Sequence, residues 1–94
     1  MKRGEVWLVD LDKRRPAIVF RVVPWLHELH IVPITSVIRG LPSEVGVPGM
    51  PKPSVANAQR IMLVSKDQIV RRVGKVSVSA LDELTLAVCT VLGC

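Results

Sequence analysis

Short apolar runs separated by charged or turn-forming breaks fill most of the chain, and the period changes near the C-terminus. Residues 5–12 (EVWLVDLD) are apolar and β-branched with acids at the end, which predicts a first strand. AIVFRVV (17–23) predicts a second. Pro16 stands near its start, where a missing N–H does least harm, and Pro24 ends it. ELHIVPITS (28–36) predicts a third, in which Pro33 argues for a bulge or an edge and for backbone displaced from regular pairing near Thr35. Residues 39–54 hold four prolines and three glycines, leaving room for one short strand around Ser43–Val47 and then a loop. Strand character returns in the second half of SVANAQRIMLVSK (54–66), and KVSV (75–78) reads as a last short strand. In SALDELTLAVCTVL (79–92), Leu81, Leu84, Val88 and Val91 recur at intervals of 3, 4 and 3, the stripe of an amphipathic helix. Ser79, with Asp82 three residues on, is the expected cap, and Gly93 the expected stop.

These elements predict a mainly β chain, with several short strands followed by one C-terminal helix. Short strands with short connections favour a small, strongly twisted barrel. At 94 residues there is room for one domain and one small core. Hydrophobic residues make up 49% of the chain but aromatics only 3%, so that core must be Val, Ile and Leu. Strand one is apolar on both faces (Val6 and Leu8, against Trp7, Val9 and Leu11). It needs the barrel on one side and the helix or a second subunit on the other, and a two-fold homodimer is the expectation.

The net charge of +5 points to an anionic partner, nucleic acid or an acidic protein. Glu5 interrupts the basic start before any apolar segment, and no run approaches the eighteen apolar residues of a membrane span. A cytoplasmic protein is expected. Cys89 and Cys94, five residues apart near a helix end, read as reduced thiols: core filler at Cys89, an exposed thiol at Cys94.

His27 and His30 are the only histidines. Three apart on an extended segment they point to opposite faces, so they read as a solvated pair and not as metal ligands. No nucleophile elbow, phosphate-cradling glycine loop or Cys–His pair is present. What remains is cationic and hydroxylic. Lys13, Arg14 and Arg15 precede the second strand, and Thr35 and Ser36 end the third. A turn at Pro24–His27 lies about nine residues from both Arg15 and Thr35, so antiparallel pairing brings those two to the same end of the sheet. A guanidinium and a hydroxyl converging on one spot make a phosphate site. The plain alternative is a solvated cluster beside a strand-end threonine.

RGEVWLVDL (3–11), RPAIV (15–19), VPITS (32–36), LPSEV (41–45), the strand start at Ser54 and Val55, and GKVS…LDELTLAVCTVLG (74–93) together resemble the MazF/PemK family of toxin endoribonucleases, in order and nearly end to end. The resemblance implies an SH3-like barrel of five to seven short strands, one toxin domain over 1–94 and a symmetric homodimer. It also implies metal- and cofactor-independent cleavage of single-stranded RNA, leaving a 2′,3′-cyclic phosphate and a 5′-hydroxyl. The implied partner is an antitoxin with an acidic tail. Arg15 and Thr35 match the family's catalytic pair. Lys13, Arg14, Ser36 and Arg60 become candidates for the RNA backbone, and Trp25 for stacking on a base. Two features depart from the family. DLDKRRP is shorter than the loop that usually precedes the Arg-Pro pair, and Met62 stands at an Arg position while Arg60 takes the Gln before it. The short loop leaves fewer contacts to RNA, so weakened activity is one expectation. The same barrel binding RNA or antitoxin without cleavage, or a protein target as CcdB-type toxins do, is the other.

Overall fold

The computed structural model describes residues 1–94. Its strands are β1 (Glu5–Asp10), β2 (Arg14–Val22), β3 (Glu28–Thr35), β4 (Glu44–Gly46), β5 (Val55–Asn57), β6 (Met62–Ser65) and β7 (Ile69–Lys75), followed by helix α1 (Val78–Leu92). The order is β4-β5-β3-β2-β1-β7, with β6 also on β3, and every ladder is antiparallel. This is the expected mainly β fold with its C-terminal helix.

The proline in β3 is tolerated for a topological reason. The outer edge of β3 is shared by two partners: β6 takes residues 28–31 and β5 takes residues 34–35. Pro33 falls in the gap between them, where the outer ladder makes no pair. The register shift expected near Pro33 lies across the hairpin instead, between Val19 and Arg21 of β2. Thr35 stays in regular pairing, opposite Val55.

Alternation along β2 and β3 divides the apolar residues between two faces. Ile18, Val32 and Ile34 join Val6 under Leu84 and Val88 of α1, in a cluster of ten buried residues that reaches Val45, Val47, Ala56 and Ala58. Ala17, Val19, Leu29 and Ile31 face the other way and join Val9 and Val64 in a cluster of six. Trp7, Leu11, Val22 and Ile69 pack around the second cluster. The two apolar faces of β1 are thus both used within the chain. Val6 goes to the helix side, and Val9 to the side that β6 covers.

Three local expectations are corrected. The last strand is Ile69–Lys75, not 75–78. It is an edge strand paired only with β1, its register shifts twice, and the exposed Arg71, Arg72 and Val73 hide its alternation. The helix cap is Ser77, whose side chain accepts the Ala80 N–H at 3.1 Å, while Ser79 lies inside the first turn. The buried stripe is Ala80, Leu84 and Val88, because α1 rests on β4 and on the turn at Ala58–Arg60; its last turn, with Val91 39% exposed, extends past them.

The cysteines require a further correction. Gly93 adopts the left-handed conformation (φ 77°), and the N–H groups of Gly93 and Cys94 both donate to the Cys89 carbonyl. That reversal brings the Cα atoms of Cys89 and Cys94 to 4.7 Å, and their sulfurs pair as a disulfide. Sequence spacing alone does not show a fold-back that one glycine creates. No helix is long and apolar enough to cross a membrane.

Candidate active site

Three residues, Leu11–Lys13, connect β1 to β2. The turn is closed by Leu11 N–H on the Lys13 carbonyl at 3.2 Å and by Lys13 N–H on Asp12 Oδ1 at 3.0 Å. Its brevity places the Asp12 carboxylate 3.6 Å from Arg15 Nε. Successive residues of a strand point to opposite faces, so the run of cations is split. Arg14 pairs with Asp10 at 2.9 Å on an exposed face. Arg15 turns to the other side, in line with Ala17 and Val19 of the second cluster.

The β2–β3 ladder ends at Ala17 opposite Pro33, and two more steps along each strand bring Arg15 level with Thr35. Both line a cavity of about 560 Å³, within the range of small-ligand sites. The cavity is therefore the polar mouth of the face whose interior is Ala17, Val19, Leu29 and Ile31. Arg15 Nε is buried and makes no hydrogen bond. A buried donor without an acceptor costs about 1–3 kcal/mol, which an incoming anion relieves. Thr35 Oγ1 accepts the Val37 N–H at 3.1 Å, leaving its own proton free to donate.

Two carboxylates line the cavity with different roles. Glu44 accepts the Arg39 N–H at 3.0 Å and the Leu41 N–H at 3.0 Å. The backbone hydrogen bond from Arg39 holds its carboxyl below the usual range, in spite of desolvation in the other direction. Glu44 is thus spent on folding the segment after β3 into a cavity wall, which presents Arg39. Asp12 has one oxygen engaged by Lys13 and Arg15 and the other free of hydrogen bonds. At the end of β5, Asn57 is 9% exposed, and its Oδ1 accepts from Ser43 Oγ at 2.7 Å and from the Gln59 N–H at 3.0 Å.

Of the residues singled out from sequence, the structure brings Arg15, Thr35 and Arg60 to one cavity. Ser36 is exposed next to Thr35 but does not line it, Lys13 sits exposed in the turn, and Arg14 is on the opposite face. Trp25 is 80% exposed at the turn end of the β2–β3 hairpin, on the order of 20 Å of strand from Arg15. Sequence reasoning missed Asp12, Arg39 and Asn57 as cavity residues. Asn57 carried a usable signal, an Asn directly after the Val55-Ala56 strand start, where Asn caps a turn. Arg39 carried none, because it lies in the proline- and glycine-rich stretch before the short strand expected at Ser43–Val47.

The chain matches the family described as PemK-like, MazF-like toxin of type II toxin-antitoxin system over residues 2–92. It is 34% identical over 99 aligned residues to the probable endoribonuclease MazF5 of Mycobacterium tuberculosis, covering 96% of this chain and 87% of that protein. Among solved structures, the Mycobacterium tuberculosis toxin MazF-mt6 superimposes with a TM-score of 0.86 at 26% identity, covering 95% of this chain and 96% of the other. An endoribonuclease in complex with its cognate antitoxin, from a mycobacterial species, shares the fold with a TM-score of 0.89 at 24% identity, covering 99% and 95%. This chain belongs to the PemK-like, MazF-like toxin family of type II toxin–antitoxin systems.

Proposed function

We propose that this toxin is an endoribonuclease that cuts single-stranded RNA at the Arg15–Thr35 cavity, with no metal ion or other cofactor. The observation that carries the reading is the level placement of Arg15 and Thr35 at the mouth of one cavity. The ribose 2′-oxygen attacks the adjacent phosphorus, the P–O5′ bond breaks, the departing 5′-oxygen takes a proton from water, and a 2′,3′-cyclic phosphate and a 5′-hydroxyl result. The nucleophile comes with the substrate, so the protein has to orient it, take its proton and stabilise charge on the phosphoryl oxygens. Arg15 stays protonated and faces that charge. The Thr35 hydroxyl donates to a phosphoryl oxygen. Asp12, with a free oxygen beside Arg15, accepts the 2′-hydroxyl proton. Arg39 and Arg60 hold flanking phosphates. Lys13 in the turn and Ser36 beside Thr35 take phosphates further out, whereas Arg14, paired with Asp10 on the opposite face, takes none. Trp25 serves a base only well beyond the cut.

The family match over 2–92 supports one toxin domain across 1–94, acting in the cytoplasm on RNA. Three arginines around one cavity and a net charge of +5 suit an antitoxin whose acidic tail occupies the same groove. Leu63 on β6 and Val73 on β7, 49% and 43% exposed, support a homodimer.

The test is incubation of the purified protein with mixed RNA in chelator, followed by mapping of the new 5′ ends. Wild type cuts, and Arg15→Ala lowers the rate about 10²–10³-fold with an unchanged circular dichroism spectrum. Intact RNA, or cleavage indifferent to Arg15→Ala, overturns the reading. A protein that leaves RNA intact yet binds an acidic antitoxin segment tightly is the non-catalytic alternative.

A further inference from the structure

We propose that Asn57 is a donor-only reader of one RNA base in this cavity, selecting a keto edge (uracil or guanine) over an amino edge (cytosine or adenine). The inference deepens the ribonuclease reading and rests on RNA entering the Arg15–Thr35 cavity.

Asn57 is nine-tenths buried at the end of β5, on the cavity wall. Its carboxamide is oriented unambiguously. The Gln59 backbone N–H, which can only donate, bonds one end at 3.0 Å, so that end is the oxygen. Ser43 Oγ, itself buried, donates to the same oxygen at 2.7 Å. The oxygen is thereby consumed and the orientation locked. The Nδ2 amine makes no hydrogen bond, yet it is not sealed in the interior, where Arg15 Nε and His30 Nδ1 are the only unpartnered side-chain polar atoms. Asn57 lines the cavity, and the amine is the one polar group its side chain has free to present there.

A free Asn side chain offers both a donor and an acceptor and tolerates many partners. Asn57 offers a donor alone. Uracil O4 and guanine O6 are acceptors, whereas cytosine N4 and adenine N6 are amines that would confront the Nδ2 hydrogens. Three cavity arginines already serve phosphates, and a neutral, fixed donor adds little to phosphate binding beside them. Leu11, Pro33 and Met62 supply apolar wall against which a base can lie.

Asn57→Asp is the diagnostic variant. It keeps an oxygen for Ser43 and Gln59, so the local fold is retained, and replaces the donor with an acceptor. Affinity is measured by fluorescence anisotropy with 2′-fluoro hexamers of uridine and of cytidine, which bind but lack the nucleophile. Wild type is expected to prefer the uridine hexamer by roughly three- to tenfold, the worth of one hydrogen bond. In Asn57→Asp that ratio falls to about one or below, even though the added negative charge weakens both ligands together. Thermal unfolding of the variant checks that the cap survives, and Asn57→Gln, which retains an amide on a longer arm, provides a second variant if it does not. Equal wild-type affinity for the two hexamers, binding of neither, or a ratio unmoved by Asn57→Asp overturns the proposal. Keto preference in binding with no cleavage of any RNA would sink the ribonuclease reading alone.

Discussion

The two faces of the central hairpin do different work. On one, Ile18, Val32 and Ile34 are sealed beneath Leu84 and Val88, and the face is closed by a helix. On the other, Ala17, Val19, Leu29 and Ile31 form a smaller cluster that opens, at Arg15 and Thr35, into a cavity. The same two strands therefore supply a structural face and a candidate chemical face, one residue apart in sequence. Arg14 and Arg15 make the point at single-residue scale: one forms a surface pair with Asp10, the other sits beside Asp12 in the cavity. The general lesson is that in a domain this small the site is not an addition to the core. It is where one of the two cores runs out.

The comparison predicts a clean separation of stability from chemistry. Leu84→Ala should lower stability by about 2–5 kcal/mol, read from urea unfolding, because a fully buried side chain is lost under the helix. The base preference and cut sites of the folded fraction should not change. Arg15→Ala should do the reverse, removing about 2.7–4 kcal/mol of transition-state stabilisation while the unfolding midpoint does not fall, since a buried donor without an acceptor goes with it. If Leu84→Ala changed the cut sites, or Arg15→Ala cost as much stability as Leu84→Ala, the two faces would not be separable as described. Ser77→Ala removes the acceptor at the start of α1 and should cost about 1 kcal/mol, again without effect on cleavage. Arg14→Ala should change stability by at most about 1 kcal/mol, as exposed ion pairs do, and leave the rate close to wild type. A loss matching that of Arg15→Ala would place Arg14 in the chemistry.

The smallest expected effect is confined to the cavity wall. Glu44 has a folded-state pKa below its ordinary value of 4.5, because backbone N–H groups led by Arg39 favour the carboxylate. A depressed carboxylate contributes stability that is present above the ordinary value and lost as pH falls through the lowered one. The protection of the Arg39 and Leu41 amides against exchange, relative to their intrinsic rates, should therefore hold to a pH below 4.5 and fall beneath it. Glu44→Gln, which does not titrate, should abolish that acid step; a step that persists would assign it to another group.

Much of the candidate site was legible without coordinates, and the reason is register. A turn at Pro24–His27 lies nine residues from Arg15 and eight from Thr35, so pairing had to bring them to one end of the sheet, and the register shift between Val19 and Arg21 sets them level. The amphipathic stripe announced α1, though its start was read two residues late because Ser77 and Ser79 are equally good caps by type. β7 was misplaced because an edge strand with two register shifts has no clean alternation. The disulfide was not legible, since it depends on Gly93 reversing the chain.

Residue order by itself determined the class of the fold, the β2–β3 pairing and the approach of Arg15 and Thr35 to one end of it, because strand periodicity and turn position act locally. Only the tertiary structure decided the register shift that sets Arg15 level with Thr35, that Asp12 and Arg39 join them, and that the Asn57 amine is left free. Those facts depend on which face a side chain takes and on what other elements bring within hydrogen-bonding distance. Segments from the β1–β2 turn to β6 meet there, and no local pattern encodes their contact.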